Sequence, residues 1–310
     1  GYQCFSKTQA LSPRGRCRTF DESADGIVIS EGIAMLALKR LSDAERDGDR
    51  VYAVIKGMAG SSDGKAKGLT APLPAGQLRA MRRAYQQAGF GPESVGLFEA
   101  HGTGTVAGDT AELDSTTALL REAGSRPAQA VVGSVKTMIG HTKATAGVAG
   151  MIKAALALHH KTLPPHLGVQ SPNAVLKKAD SPLCVLDEAQ PWLVTGDQPR
   201  RAAVSAFGFG GTNFHAVLEE YRDEYRPWLQ PSVSDAWAAE LLVWRAATRE
   251  QLQGQVAALQ QQLAAPGKVA LADIAYHLAA NLGSGTHSLA LVVGNLDELA
   301  DKLDKAQRRL

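Results

Sequence analysis

Three short segments of this chain set reactive side chains beside glycines. The first, EAHGTGTVAGD over residues 99–109, places His101 ahead of a turn containing Thr103 and Thr105. The second, SVKTMIGHTKATAG over residues 134–147, carries Lys136 and His141. The third, SAFGFGGTNFH over residues 205–215, interleaves Phe209 with Gly208, Gly210 and Gly211 and leads to Asn213. Imidazoles can donate hydrogen bonds or take protons, an ammonium supplies fixed positive charge, and glycine-rich backbone offers N–H groups to a developing oxyanion. Together they suit a reaction in which negative charge grows on a carbonyl oxygen. Plainer readings stand beside this one: a structural histidine at a strand end, or a turn joining two strands. The spacing of Gly102, Gly104 and Gly108 also resembles a loose dinucleotide fingerprint. The next strand, however, delivers Lys136 where an acidic residue would hold a ribose.

Positioning such groups requires strands that end in turns. Val95–Ala100, Ala130–Val135 and Ala202–Ala206 are short apolar runs of the kind that form buried strands. Helical periodicity separates them. Over Gln77–Gln87, Leu78, Met81 and Tyr85 share a face and Gly89 supplies the stop. A helix is expected from about Thr110, and Ala146–His160 is small and apolar enough for a helix buried on most sides. This alternation predicts a layered α/β domain over residues 1–220. Tyr221 to Ser234 is polar, holds two prolines and reads as a linker into a second unit, 221–310. There Glu240–Trp244 and Ser288–Val293 fit strands. Thr248 with Gln251 and Asn295 with Glu298 mark helix starts, Ala272–Leu282 a further helix, and Leu252, Val256, Leu259 and Leu263 form one stripe.

Composition excludes several classes. The chain has 310 residues, 45% hydrophobic and 21% charged, with a net charge of +2. That balance gives no electrostatic footprint for nucleic acid, and the longest apolar stretch is too short to span a bilayer. Cys4, Cys17 and Cys184 are too scattered for a disulfide scaffold or a zinc site, and a reducing, cytoplasmic compartment is expected. No metal site is expected: His159-His160 closes a helix, and His166, His215, His277 and His287 have no ligand-spaced neighbours. Lys143 and Arg200-Arg201 could meet an acidic partner or a phosphate, with solvated surface the plain alternative. The chain opens at Gly1 and stops at Leu310 within a helical pattern, which reads as a piece of a longer polypeptide.

HGTGT, SVKxxxGH and GFGGTN in this order resemble the C-terminal half of a β-ketoacyl synthase of the modular polyketide and fatty-acid synthase kind. The resemblance runs from about Phe5 to Tyr221, and its segments look most like iterative polyunsaturated-fatty-acid and enediyne synthases. The tail from Ala236 is similar to the small α/β linker domain between ketosynthase and acyltransferase. The resemblance implies a thiolase-like fold and decarboxylative condensation of acyl and malonyl thioesters. The substrates would ride on the phosphopantetheine of acyl carrier protein, with no cofactor of the chain's own. His101, His141 and Lys136 match the catalytic histidines and lysine. Thr103 and Thr105 match pantetheine-binding threonines, Phe209 the gating and oxyanion residue, and Gly210, Gly211 and Asn213 are expected with the threonines to bind substrate.

The family's nucleophilic cysteine has no counterpart here, since none of the three cysteines stands in the required context. The implied partners are therefore the missing N-terminal half, acyl carrier protein, an adjacent acyltransferase and a second copy in a homodimer. Apolar surface normally covered by the other half would be left open. A non-catalytic structural or docking piece of a synthase is the alternative.

Overall fold

The computed structural model describes residues 2–64, 68, 71–194, 198–208, 210–222, 238–264 and 269–310. The chain divides into two compact units, Gly1–Glu224 and Tyr225–Leu310. In the first, α1 (Tyr2–Lys7) and α2 (Leu41–Asp47) precede β1 (Val54–Ser62) and α3 (Pro74–Ala88). Then come β2 (Leu97–Glu99), α4 (Val106–Glu122), β3 (Ala130–Gly133), α5 (Lys136–Ile139) and α6 (Ala146–His159). Short strands β4 (Thr162–Leu163), β5 (Leu183–Cys184) and β6 (Gln190–Pro191) lead to β7 (Arg201–Phe207) and β8 (Thr212–Glu219).

The main sheet runs β1-β8-β7-β2-β3-β5. Its centre is parallel: β2 pairs with β7 on one side and with β3 on the other. Strands β7 and β8 form an antiparallel hairpin, with β1 antiparallel to β8. Side chains alternate between two cores, as pleating requires. Phe98, Val132 and Val217 face Met81, Tyr85, Leu113 and Leu120 of α3 and α4. Leu97, Val131, Val204 and Leu218 face Ala154 and Leu158 of α6. The result is a three-layer α/β/α unit.

Local chemistry sets the helix ends. Gly89 takes the left-handed conformation at φ 77° and its N–H bonds the Tyr85 carbonyl, closing α3. The buried face of α3 includes Gln77, whose Oε1 accepts from Ser115 Oγ at 2.7 Å, while Leu78 is only partly covered. α4 starts at Val106 rather than near Thr110, because Thr105 Oγ1 accepts the Gly108 N–H and nucleates the first turn. α6 is covered on less of its circumference than its sequence suggests: Leu156 is 41% exposed.

The second unit holds β9 (Glu240–Ala246), α7 (Arg249–Ala264), α8 (Leu271–Ala280), β10 (His287–Val293) and α9 (Leu296–Arg309). Strands β9 and β10 pair antiparallel. Their inner face, Leu242, Trp244 and Val293, packs with Leu252 and Val256 of α7 and Leu299 and Leu303 of α9. The expected helix starts are present as hydrogen bonds from the Gln251 N–H to Thr248 Oγ1 and from the Glu298 N–H to Asn295 Oδ1. The expected linker falls largely on 223–237, outside the described residues.

Candidate active site

The parallel centre of the sheet decides where the three glycine-rich segments meet. β7, β2 and β3 are adjacent and run the same way, so the turns following them emerge at one edge. After β2 comes the His101 loop, after β3 the segment with Lys136 and His141, and after β7 the glycine turn. These turns open onto one cleft of about 880 Å³, whose wall includes His101, Thr103, Thr105, His141, Gly211 and Asn213. Phe209 lies outside the described residues, and Gly210 is in the turn beside the cleft with φ 82°.

The two imidazoles stand edge to face, their centroids 5.4 Å apart and their planes at 86°. Burial, then the Lys136 charge, holds His101 well below the ordinary histidine range. The same two causes hold His141 at about 4. Both rings are therefore neutral near pH 7. The Lys143 N–H donates to His141 Nδ1 at 3.0 Å, so the ring proton of His141 sits on Nε2. His101 Nδ1 is buried and has no hydrogen-bond partner among the described residues.

Lys136 does not line the cleft. It is 2% exposed, and its ammonium donates to the His101 carbonyl from beneath. Its effect on the imidazoles is that of a buried positive charge. Thr103 and Thr105 hydroxyls lie 3.1 Å apart, and Thr105 is also engaged as the cap of α4.

Side chains that sequence reasoning did not single out hold these loops. Glu112 of α4 accepts the His101 N–H at 2.7 Å and the Gly102 N–H at 2.8 Å, one on each oxygen. Asp109, one turn earlier, accepts from Gly104 at 3.1 Å and Phe20 at 2.9 Å. Burial pushes each carboxyl up to about 7. Glu99 accepts from the Val135 N–H at 2.6 Å and pairs with Lys153 at 2.8 Å, joining the loops after β2 and β3. Asp63 accepts from Asn213 Nδ2 at 2.7 Å and donates its N–H to the Gly211 carbonyl at 2.8 Å, bracing the glycine turn. The signal available in the sequence was two carboxylates three residues apart, directly after a glycine-rich turn full of unpaired N–H groups.

The weaker candidates in the sequence fall away here. Gly102 is packed so that a Cβ would lie 2.6 Å from Thr19 Cγ2 and 2.8 Å from Ser134 Cβ, so the turn is folded against protein rather than around a dinucleotide. Arg200 is committed to Glu220 at 2.7 Å, and Arg201 to Glu219 at 2.8 Å and the Phe90 ring, so neither presents a free guanidinium. None of the cysteines lines the cleft. Cys4 is exposed on α1, Cys17 Sγ lies 3.4 Å from Thr19 Oγ1, and Cys184 lies in β5. Burial raises the Cys17 and Cys184 thiols, the reverse of nucleophile activation.

An α/β unit whose parallel strands deliver paired neutral histidines and a glycine hairpin to one cleft has the architecture of the thiolase-like condensing enzymes. Comparison with known proteins agrees: the chain belongs to the β-ketoacyl synthase family. Residues 1–44 match the family described as Beta-ketoacyl synthase, N-terminal domain. Residues 52–170 match its C-terminal domain and 172–283 the Ketoacyl-synthetase C-terminal extension.

Among curated relatives, one component of the phenolphthiocerol/phthiocerol polyketide synthase of Mycobacterium tuberculosis is 44% identical over 278 residues, 89% of this chain and 15% of that protein. One component of the polyunsaturated fatty acid synthase of Thraustochytrium is 48% identical over 229 residues, 72% of this chain and 8% of that protein. The solved ketosynthase from module 6 of the Bacillus subtilis bacillaene synthase superposes with a TM-score of 0.70 at 36% identity, covering 99% of this chain and 53% of that one. This chain thus spans about half of that solved ketosynthase and a small part of the curated synthases.

Proposed function

We propose that this chain is the histidine-bearing part of a ketosynthase that condenses an acyl thioester with a malonyl thioester, both carried on the phosphopantetheine of acyl carrier protein. The observation that carries the reading is the pair of neutral imidazoles facing each other across one cleft. Malonyl decarboxylation breaks a C–C bond, releases CO2 and leaves the electron pair as an enolate on the thioester oxygen. Nε2–H groups of His101 and His141 donate to that oxygen as its charge grows, which requires both rings to be neutral beforehand. The enolate carbon then attacks the acyl thioester; a C–C bond forms, and the thiolate that carried the acyl group departs.

That acyl-bearing thiol belongs to the other half of the fold. Residues 33–38 point to the same division of labour. Ile33 is 95% exposed, Met35 88% and Leu38 73%, a density of open apolar side chains that an intact enzyme covers. The N-terminal half, as a covalent part or separate chain, is the occupant that supplies both the thiol and the cover. Homodimerisation, an adjacent acyltransferase and a reducing cytoplasmic setting complete the proposed context.

The test is malonyl-pantetheine binding to the 15N-labelled chain. Saturation is expected to shift the Nε2 resonances of both His101 and His141. Saturable binding that moves neither would refute the reading. Joining the chain to its N-terminal half is expected to yield 3-oxoacyl product, and His101→Ala and His141→Ala each to abolish decarboxylation.

A further inference from the structure

One buried side chain outside the cleft wall touches the supports of both histidine loops. His166 is 5% exposed, its backbone N–H is fixed on the Leu186 carbonyl at 2.7 Å, and its ring packs 5.5 Å from that of Phe20. Its Nδ1 accepts the Ser134 N–H at 3.1 Å, so in the neutral ring the proton is on Nε2. Nε2 lies 3.0 Å from the Thr19 carbonyl and donates to it. Burial lowers this imidazole to about 4, which keeps the arrangement intact at neutral pH. A charged ring would set N–H against N–H at Ser134.

Each partner acts on a loop of the site. Ser134 is two residues before Lys136, where β3 turns toward His141, and its hydroxyl reaches the carbonyls of His101 and Gly102 at 3.4 and 3.3 Å. Thr19 Oγ1 donates to the Gly102 carbonyl at 2.9 Å, immediately after His101. Glu112 grips only the His101 loop, and Asp109 ties that loop to the Phe20 N–H; neither carboxylate bonds the His141 segment. The His166 ring reaches both: one nitrogen fixes the start of the His141 segment, and the other fixes the residue that holds the His101 loop.

We propose that His166 is a positioning residue for the His101–His141 pair, setting the relation of the two rings through Ser134 and Thr19. The inference rests on the reading of those rings as the reacting donors. His166 touches no substrate in this arrangement, and its role is to keep in register two loops that Glu99 and Lys136 already join. The imidazole is suited to this because its two nitrogens offer one acceptor and one donor on a rigid plane.

Imidazole spectra of the 15N-labelled full chain test it, comparing wild type with His166→Phe and His166→Gln. Phenylalanine keeps a ring against Phe20 and removes both hydrogen bonds; glutamine restores one acceptor and one donor. His166→Phe is expected to shift and broaden the His101 and His141 ring signals and to weaken malonyl-pantetheine binding about tenfold. His166→Gln is expected to recover most of both.

A folded His166→Phe chain with unchanged ring signals overturns the proposal, as does a His166→Gln chain indistinguishable from His166→Phe. Should the phenylalanine variant not fold, a scalar coupling across the Ser134 N–H···Nδ1 bond in the wild-type chain decides: its absence refutes the link. Malonyl-pantetheine binding that leaves the wild-type His101 and His141 signals unmoved would instead sink the assigned reaction. The variant spectra, recorded without ligand, would still judge the positioning role.

Discussion

Replacing Gly211 by alanine gives a quantitative probe of how the glycine turn is held. Gly211 has φ 76°, and a Cβ there would lie 2.6 Å from Asp63 Cβ and 3.1 Å from its carboxyl carbon. Gly210 is a built-in control, with φ 82° and nothing among the described residues within 4 Å of its Cβ position. Left-handed backbone costs alanine about 1–2 kcal/mol, and that is the whole expected penalty for Gly210→Ala. Gly211→Ala must also displace Asp63, breaking its bonds to Asn213 Nδ2 and to the Gly211 carbonyl. At about 1 kcal/mol each, with more for the charged acceptor, the total is roughly 3–5 kcal/mol. Because the chain has two units, a global unfolding curve would blend them. Native-state hydrogen exchange of the β7–β8 amides reads the local value instead. Repeating Gly211→Ala in an Asp63→Gly background, where the clash is gone, is expected to bring the penalty down to that of Gly210→Ala. Equal protection loss for the two single alanine variants would refute the claim that Asp63 braces the turn.

Lys136→Met removes a cation that acts on both rings, so the His141 pKa is expected to rise from about 4 toward its ordinary 6.5, read by imidazole NMR titration. Lys153→Met strands the Glu99 carboxylate, already raised by burial, and is expected to cost about 3–5 kcal/mol. That penalty is full above the further-raised folded pKa and shrinks as pH falls and Glu99 protonates, so native-state hydrogen exchange of the β2 and α6 amides in wild type and variant should converge in acid. His141→Gln tests linkage: a histidine depressed from 6.5 to about 4 contributes stability present above 6.5 and lost as pH falls toward 4. Wild type should therefore lose about 3 kcal/mol more than the variant over that window, read by native-state hydrogen exchange of the slowest first-unit amides.

The order of the three segments and the strand-turn character of each were legible because glycines, histidines and short apolar runs are local signals. Their convergence follows from a fact no local pattern carries: β7 lies beside β2, although a hundred residues or so of chain run between them. The carboxylates were missed for a related reason. Asp63 meets Asn213 across the sheet, and Glu112 reaches back over a helical turn to N–H groups that sequence alone leaves unassigned. Arg200 and Arg201 looked available because their partners, Glu220 and Glu219, become neighbours only when the β7–β8 hairpin forms. The thin coverage of α6 also escaped the sequence, since an apolar helix does not reveal how much of its partner surface belongs to this chain.

The placement of β1 against β8 also governs how the site comes into being. β1 is complete at Ser62, but the strand that pairs with it starts only at Thr212. At ordinary elongation speeds of about 5–20 residues per second, β1 waits roughly 8–30 s for its neighbour to leave the ribosome. In the later part of that interval both histidine loops have been synthesised but lack the hairpin that walls their cleft. Such long-separation pairing slows closure. A nascent chain halted before Thr212 therefore holds every imidazole of the proposed chemistry and no finished pocket, and its bare β1 edge is a natural target for holding chaperones.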